Sequence, residues 1–332
     1  MSTPTPTPSD PGDPTDRFAL ITRNAAEVVT EDEIWDIAFE PAGKRAYVGY
    51  EPSGELHIGH LVTVNKLIDL QKAGMDIVIL LADIHARLNE KGTPEEIQET
   101  ADTMRRQFLA AGLDPSNTEF VYGSDFQLDE EYVMDTHELA MEANLNRARK
   151  AVADGIAGRE DNLRLSHANY AVMQAVDIPH LDVDLAVGGM AQRRVHMLAR
   201  DQLPQLGYES PPCLHTPLVM GLDGEPMSSS KGNVISMGDE TAVIEDKIAD
   251  AYCPGGELAE NPIVDIYKYH LFPRFEDITV SRPTKYGGDV TYSSFKKFAD
   301  TFASGDLHPQ DAKETAAAYL DRLLADGRQE VH

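Results

Sequence analysis

The sequence contains 332 residues, 42% of them apolar, and its 56 acidic side chains outnumber its 29 basic ones to give a formal net charge of −27. This length suggests about two domains of ~150 residues each, and the apolar fraction is sufficient for hydrophobic cores. The longest apolar run, residues 77–82, is far shorter than the ~20 residues of a membrane-spanning helix, which excludes an integral membrane protein.

Acidic residues are spread along the whole chain, so the surface as a whole repels nucleic acid at ordinary salt concentration. At about 1 M salt the Debye length falls to roughly 3 Å, and only local basic patches then decide whether nucleic acid binds. We therefore expect a protein of a strongly saline cytoplasm, the alternative being an ordinary acidic protein. Cys213 and Cys253 lack the spacing of a zinc site, so neither a disulfide framework nor a structural metal is expected.

The chain begins with residues rich in Ser, Thr, Pro, Gly and Asp, and we expect a disordered tail over residues 1–17 rather than a signal peptide. Residues 46–50 are then typical of a strand, and apolar residues follow at helical spacing over 61–68. The apolar run 77–81 indicates a strand that is covered on both faces. This strand–helix–strand order predicts an open parallel α/β sheet, which binds ligands near the carboxyl ends of its strands.

The pattern further along the chain predicts a turn at Gly188-Gly189, strands over 120–122 and 183–187, and helices over 94–112, 128–160, 166–178 and from about residue 190. After residue 233 the pattern changes to helical segments near 240–252, 261–271, 292–304 and 309–326. We therefore expect a second, mostly helical domain toward the C-terminal end.

The first chemical motif is PSGELHIGH, residues 52–60, between a predicted strand and the following helix. Free backbone N–H groups and the positive end of the helix dipole suit a polyphosphate at such a turn. His57 and His60 are three residues apart, so both rings can face the same phosphates, and Gly59 lets a nucleotide approach the backbone.

The second motif is residues 227–233, Met-Ser-Ser-Ser-Lys-Gly-Asn. A loop with three hydroxyl groups and an ammonium group can surround a leaving pyrophosphate and stabilise its developing charge. By itself a serine-rich loop is more often a linker. The candidate residues of this loop are Ser228, Ser229, Ser230 and Lys231.

Together the two motifs resemble the HIGH and KMSSS signatures of class I aminoacyl-tRNA synthetases. The resemblance implies a Rossmann-like catalytic domain over 18–233 with a helical insertion at about 125–165, and an anticodon-binding domain over 234–332. It also implies ATP with Mg²⁺ as a substrate complex and no tightly bound cofactor or resident metal. The family's second signature begins with a lysine, whereas Glu225 and Pro226 precede Met227 here, and we assign the role of the absent ammonium group to Lys231.

The third motif is a polar stripe on the predicted helix 166–178. Tyr170, Gln174 and Asp177 share one face, and apolar residues occupy the rest. Burying unpaired polar groups costs roughly 2–7 kcal/mol, so protein neighbours or a polar ligand must satisfy them. Either an internal hydrogen-bond network or a ligand site fits this pattern.

The run YAVMQAVDIPHLDVDLAVGGMAQ, residues 170–192, looks like the amino-acid pocket of archaeal and eukaryotic type tyrosyl-tRNA synthetases, and YVGYEPSG at 47–54 supports the resemblance. It implies L-tyrosine as substrate. Tyr47 and Asp177 would hydrogen-bond the phenolic hydroxyl group, and Tyr170, Gln174 and Gln192 would hold the α-ammonium group. Residues implied in ATP binding are Gly49, Glu51, His57, Gly59, His60, Gly188, Gly189, Ser229 and Lys231.

The same resemblance implies that tRNA is a partner and that local basic patches bind it. Candidates for its acceptor end are Arg147, Arg149, Lys150, Arg193 and Arg194, and candidates for its anticodon are Tyr286, His308 and Asp311. Basic side chains on helices are also commonly a solvated face. A homodimer formed through the helical insertion is implied as well.

Three other functions remain open at this point. A tryptophanyl-tRNA synthetase shares the fold, but its pocket must receive an indole donor rather than a phenol. A small-molecule nucleotidyltransferase would carry a similar His-x-Gly-His loop without a helical C-terminal domain. A non-catalytic RNA-binding paralogue would fit the absent lysine, although it would not need the retained His57, Gly59 and His60.

Overall fold

The computed structural model describes residues 12–155, 164–227 and 231–329. They form two compact units. The first unit comprises the described parts of Met1–Gly54, Lys66–Arg105 and Leu113–Pro217, and the second those of Glu55–Asn65, Arg106–Gly112 and Leu218–His332. The predicted domain limits at residues 233 and 234 stay a prediction.

A six-stranded sheet organises the first unit, in the order β1-β6-β5-β2-β3-β4. Its neighbours are parallel except for β1, which pairs antiparallel with β6. The chain leaves β2 toward β3 and β4 on one side and returns to β5 and β6 on the other. The order therefore reverses between β2 and β5, which is where open α/β sheets bind ligands. The strands are β1 (Glu27–Val29), β2 (Arg45–Tyr50), β3 (Asp76–Leu81), β4 (Thr118–Tyr122), β5 (Leu185–Gly189) and β6 (Cys213–Thr216).

Helices cover both faces of this sheet, which explains the continuous apolar run of β3: after the exposed Asp76, every residue of that strand is buried. The expectation of an α/β fold with a mostly parallel sheet is confirmed. The helices up to the end of β6 are α1 (Pro14–Thr22), α2 (Glu31–Phe39), α3 (Ile58–Lys72), α4 (Asp83–Leu88), α5 (Pro94–Ala110), α6 (Glu130–Glu142), α7 (Leu145–Gly155), α8 (Leu165–His180) and α9 (Arg193–Gln202).

The N-terminal segment corrects the expected tail over residues 1–17. Helix α1 already begins at Pro14, because the Asp13 carboxylate caps it by accepting from the Thr15 N–H at 2.8 Å. Phe18 of α1 stacks on Trp35 of α2 with ring centroids 4.1 Å apart. Residues 1–11 lie outside the described part of the chain.

Two further expectations in the first unit change. Within the helix expected over 128–160, the described residues form two helices, α6 and α7, which are separated at Ala143 and Asn144. Gly188 and Gly189, expected as a turn, are the last residues of β5, because pairing with His215 and Thr216 of β6 extends the strand by two residues. Residues 156–163 lie outside the described residues.

The second unit is mostly helical, with α10 (Thr241–Asp250), α11 (Pro262–Ile266), α12 (Phe295–Ala303) and α13 (Pro309–Gln329). A π-helical turn, Tyr267–Leu271, continues α11. The helix expected over 292–304 begins only at Phe295, because residues 290–292 form β8 (Val290–Tyr292), which pairs antiparallel with β7 (Ile278–Val280). Tyr292, Tyr267 and Phe298 pack together in the core of this unit. In the described parts of both units, no helix is long and apolar enough to span a bilayer.

Candidate active site

Asp177 lies at one end of the polar stripe that the sequence predicts on α8. Its side chain is fully buried, and its Oδ1 atom accepts hydrogen bonds from Gln127 Nε2 at 2.6 Å and from the Tyr132 hydroxyl group at 2.8 Å. The Oδ2 atom has no hydrogen-bond partner among the described residues, since His85 Nε2 is 3.7 Å away. One oxygen is thus held in place by the protein, and the other is available to a ligand.

Burial controls the protonation of this group. It raises the pKa of Asp177 to about 7, although the bonds from Gln127 and Tyr132 act in the opposite direction. Burial also raises the pKa of the Tyr132 hydroxyl group well above its usual range, with a further contribution from Asp177. A hydroxyl donor that reached Oδ2 would stabilise the carboxylate.

Tyr47 of β2 belongs to the same apolar cluster as α8 and is buried. Its hydroxyl oxygen lies 2.8 Å from the point that a Cβ atom on Gly49 would occupy. Glycine at position 49 therefore has a packing reason, because any side chain there would displace the Tyr47 hydroxyl group. Burial raises the pKa of Tyr47 well above its usual range, and the nearby Asp177 adds to the effect, so the group stays protonated and can donate.

The other end of the stripe faces polar residues at the carboxyl ends of β2 and β5. Glu51 follows β2 and accepts from Asn89 Nδ2 at 2.9 Å, and its negative charge adds to burial in raising the pKa of the nearby Tyr170 hydroxyl group. Gln174 Nε2 donates to Gln192 Oε1 at 3.0 Å, whereas Gln174 Oε1 has no partner among the described residues. Burial raises the pKa of Glu51, which favours a cationic ligand group beside it.

His57 and His60 form a pair at the start of α3, with ring centroids 3.8 Å apart. The Gly59 N–H donates to His57 Nδ1 at 3.1 Å, and the His57 N–H donates to His60 Nδ1 at 3.2 Å. Because each Nδ1 atom is an acceptor, each ring carries its proton on Nε2. The two rings thus have matched tautomers, with Nε2–H as the donor.

These contacts correct the expectation that free backbone N–H groups of this turn hold a polyphosphate. The N–H of Ile58 donates to the Ile235 carbonyl oxygen at 2.9 Å, and that of His60 donates to the His57 carbonyl oxygen at 2.8 Å. With the two N–H groups bound by imidazoles, the protein itself satisfies the first donors of α3. The Nε2–H group of His57 is a donor that this turn can offer instead.

Both imidazoles are neutral at pH 7. Burial lowers the pKa of His57 to about 4 and that of His60 to about 3, with the neighbouring His57 contributing to the second shift. They can therefore hydrogen-bond a phosphate group, but they do not supply positive charge.

The serine-rich loop starts beside this pair, within the second unit. Met227 Sδ lies 2.7 Å and His57 Cε1 2.9 Å from the point that a Cβ atom on Gly59 would occupy, so a side chain there would displace these groups. At the base of the loop, Asn233 Nδ2 donates to Asp223 Oδ1 at 2.8 Å, and the Leu222 N–H donates to the Asn233 carbonyl oxygen at 3.0 Å. Lys231 is exposed. Ser228, Ser229 and Ser230 lie outside the described residues.

The glycines at the end of β5 occupy a tightly packed position. A Cβ atom on Gly188 would lie 3.0 Å from Gln192 Cβ and 3.1 Å from His196 Cε1. The protein's own side chains therefore fill that side of Gly188, which the sequence assigned to ATP. Gly189 is the last residue of the strand.

The structure brings the basic candidates of α7 and α9 together. Arg147 donates to the Met197 carbonyl oxygen at 2.9 Å and forms an ion pair with Asp201, and Arg194 Nη1 donates to the Lys150 carbonyl oxygen at 3.1 Å. Arg193 is bound to Glu27. The side chains of Arg149 and Lys150 are exposed.

The anticodon candidates lie in the second unit. Tyr286 is 63% exposed, with Lys285 Nζ 4.7 Å from its ring centroid, so one face of an aromatic ring and a cation are accessible together. His308 is exposed and its Nδ1 atom accepts from the Gln310 N–H at 3.1 Å, and Asp311 lies in the first turn of α13.

Sequence reasoning missed Gln127 and Tyr132 and gave His85 no firm role. His85 packs edge-on against Tyr170 with ring centroids 4.4 Å apart, so it lines the pocket. In the sequence, Gln127 and Tyr132 are one polar and one aromatic residue in a predominantly polar segment. Nothing in that pattern indicates that their side chains contact α8.

The comparisons with known proteins agree with this geometry. The profile described as "tRNA synthetases class I (W and Y)" matches residues 42–325. A tyrosine–tRNA ligase of Archaeoglobus fulgidus is 55% identical over 319 residues, which cover 96% of this chain and 98% of the relative. A tyrosine–tRNA ligase of Halorubrum lacusprofundi is 55% identical over 327 residues, which cover 95% of this chain and 99% of the relative.

A solved structure is similar over almost the whole chain as well. The crystal structure of Archaeoglobus fulgidus tyrosyl-tRNA synthetase complexed with L-tyrosine has a TM-score of 0.94 at 55% identity, and the match covers 96% of this chain and all (100%) of that one. Sheet order, the two signature motifs, the family profile and these relatives lead to one conclusion: this chain belongs to the class I tRNA synthetase family of the tryptophan and tyrosine enzymes.

Proposed function

We propose that this chain is a tyrosine–tRNA ligase, which activates L-tyrosine with ATP to tyrosyl-adenylate and transfers the tyrosyl group to the 3′-terminal adenosine of tRNA(Tyr). The observation that carries the assignment is the buried Asp177: the protein holds one carboxylate oxygen, and the other has no partner in the part of the chain that the structure describes. Curated relatives at 55% identity are tyrosine–tRNA ligases, which supports the same conclusion.

A phenol suits this pocket better than an indole. A phenolic hydroxyl group can donate to Asp177 Oδ2 and accept from Tyr47 at the same time, whereas an indole N–H can only donate. Phenylalanine would leave both protein groups desolvated without a partner, which costs about 1–3 kcal/mol for each group. Tyr170, Gln174 and Gln192 would hold the α-ammonium group near the carboxylate of Glu51.

ATP would bind as its magnesium complex, as a substrate. Its α-phosphorus would be attacked in line by the tyrosine carboxylate, so that a P–O bond to tyrosine forms as the bond to pyrophosphate breaks. The negative charge on the phosphates would be stabilised by three kinds of group. They are the imidazoles of His57 and His60, the ammonium group of Lys231 and the hydroxyl groups of Ser228, Ser229 and Ser230. The remaining residues proposed to contact the nucleotide are Gly49, Glu51, Gly59, Gly188 and Gly189.

Two sets of residues are proposed to contact the tRNA. The acceptor end would contact Arg147, Arg149, Lys150, Arg193 and Arg194. The anticodon would contact Tyr286, His308 and Asp311, within the region 234–332. A cytoplasm of high salt concentration would screen the repulsion between tRNA and a chain of net charge −27.

A homodimer through the helical insertion is part of the proposal. Large apolar side chains of this segment are exposed, namely Met134, Met141, Leu145 and Leu165, at 49%, 79%, 66% and 81%. Leu145 and Leu165 line an apolar groove of about 500 Å³ between α6, α7 and α8, so a second copy could insert its exposed side chains there. Sedimentation equilibrium of the chain and of Met141→Glu tests this, with monomers expected only for the variant.

The experiment for the catalytic function is ATP–pyrophosphate exchange with each of the twenty amino acids, followed by aminoacylation of tRNA, in a series of salt concentrations. We expect exchange with tyrosine and charging of tRNA(Tyr). Exchange with tryptophan alone would move the chain to the tryptophan enzymes, and RNA binding without exchange would make it a non-catalytic paralogue. Exchange without charging would favour a small-molecule nucleotidyltransferase.

A further inference from the structure

Three adjacent strands of the first unit place Glu27, His215 and Gly188 in one row. The antiparallel register of β1 and β6 sets Glu27 opposite His215, and the parallel register of β6 and β5 sets His215 beside Gly188. Residues directly opposite in a ladder have their side chains on the same face. His215 Nδ1 accordingly lies 3.0 Å from Glu27 Oε2, and the His215 ring is fully buried.

A second buried imidazole continues this row. His215 Nε2 lies 3.0 Å from His196 Nδ1 on α9, and the two rings are stacked with centroids 5.1 Å apart. Burial lowers the pKa of both rings, so they are neutral at pH 7. One of the two facing ring nitrogens must donate and the other accept, so the tautomers of the two rings are coupled. The Glu27 carboxylate lies 3.0 Å from His215 Nδ1 without completing a hydrogen bond to it, and its negative charge favours the proton on Nδ1, which leaves Nε2 to accept from His196. Glu27 therefore favours one tautomer in both rings.

The far end of the row reaches a proposed substrate contact. The His196 ring and the Gln192 side chain share the space that Gly188 leaves open, and Gln192 in turn accepts from Gln174. Because this space is closely filled, a shift or rotation of the His196 ring moves Gln192.

The near end of the row holds a proposed tRNA contact. Arg193 Nε donates to both carboxylate oxygens of Glu27, at 2.9 and 2.7 Å, and this bond is the largest cause of the lowered pKa of Glu27. A guanidinium group has five N–H donors, and Nε carries only one of them. The bond to Glu27 can therefore orient Arg193 while its terminal amino groups bind phosphate or a base edge.

We propose that Glu27 is a positioning residue for both substrates: it orients Arg193 toward the acceptor end of tRNA and, through His215 and His196, holds Gln192 for the amino acid. This inference rests on the proposed function, because it needs tyrosine and tRNA as substrates. No part of Glu27 itself touches either substrate in this scheme.

The test uses Glu27→Gln, which keeps the size of the side chain but replaces charged hydrogen bonds with neutral ones. That change should raise KM for tyrosine about tenfold in exchange without tRNA, and KM for tRNA about tenfold in charging, with kcat of exchange within about twofold of the original. Glu119→Gln is the matched control, since Glu119 forms an ion pair with Arg45 on another part of the sheet, and it should change neither KM.

Double variants separate positioning from general destabilisation. When Glu27→Gln is combined with His215→Asn, KM for tyrosine should be no higher than in His215→Asn alone. When Glu27→Gln is combined with Arg193→Gln, KM for tRNA should be no higher than in Arg193→Gln alone. The effects do not add because, in each pair, Glu27 acts through the other residue. Effects that multiply in these double variants, or unchanged KM values in Glu27→Gln, would overturn the inference. A wild-type chain without tyrosine-dependent exchange would instead overturn the proposed function.

Discussion

Replacing Asp177 with asparagine should stabilise the free protein at neutral pH and at the same time remove most of its activity. The carboxyl group has a pKa of about 7 in the folded chain, against an ordinary value of 3.8, because it is buried. As pH rises, the unfolded chain therefore loses this proton at a lower pH than the folded chain does. Between pH 3.8 and about pH 7 the free energy of unfolding falls, because only the unfolded chain is deprotonated there. Above about pH 7 both states are deprotonated and the free energy of unfolding falls no further.

The size of the effect follows from the same values. A tenfold change in proton affinity is worth about 1.4 kcal/mol, so the difference between 3.8 and about 7 corresponds to about 4 kcal/mol at most. Asparagine has no such dependence on pH, and its amide oxygen can still accept from Gln127 and Tyr132. The free energy of unfolding of Asp177→Asn should therefore exceed that of the wild type by an amount that grows by up to about 4 kcal/mol from about pH 4 to pH 8.

Urea unfolding of the ligand-free chain at a fixed salt concentration measures this difference. Asp76→Asn is the control, because Asp76 is exposed and its removal takes away a charge without relieving burial. In exchange assays, kcat/KM of Asp177→Asn for tyrosine should fall by about 10- to 100-fold, since a hydrogen bond to a charged group is lost. If unfolding free energies of wild type and Asp177→Asn run parallel across this pH range, the burial argument for the pocket is refuted.

Three further changes test other parts of the site. His60→Ala should slow adenylate formation with little change in the affinity for tyrosine, and unchanged pyrophosphate exchange would remove His60 from the mechanism. Tyr132→Phe removes a donor to Asp177, so KM for tyrosine should rise about tenfold in the exchange assay, and an unchanged value would show that Gln127 alone orients the carboxylate. Gly188→Ala should lower the free energy of unfolding by about 1–3 kcal/mol in urea, because the new Cβ atom meets Gln192 and His196, and no loss would contradict the packing.

The parallel sheet could be predicted because its strongest signals are local. The apolar run of β3 and the helical spacing after residue 60 need no distant partner to be recognised. The short strands β1 and β6 could not be predicted in the same way: three or four residues carry little pattern, and these strands exist because β1 pairs with β6 and β6 pairs with β5. The hairpin of β7 and β8 was missed for the same reason.

The candidate pocket divides similarly. The stripe of Tyr170, Gln174 and Asp177 is a property of one helix, so its spacing alone predicted a shared polar face. Gln127 and Tyr132 contact Asp177 from about 50 and 45 positions away along the chain, and no periodicity connects residues at that separation. The state of His57 and His60 also escaped the sequence, because burial determines their pKa values.

The sequence by itself determined the α/β class, the two signature motifs and the residue types that a phenol and a triphosphate require, since these depend on composition and on spacing within single elements. Only the tertiary structure decided which atoms remain available to a ligand. Backbone donors of α3 are bound by the protein itself, and of the two oxygens of Asp177 only one has a partner within residues 12–155, 164–227 and 231–329. Hydrogen-bond satisfaction and desolvation depend on all the neighbours of a group in space, and only the folded chain brings those neighbours together.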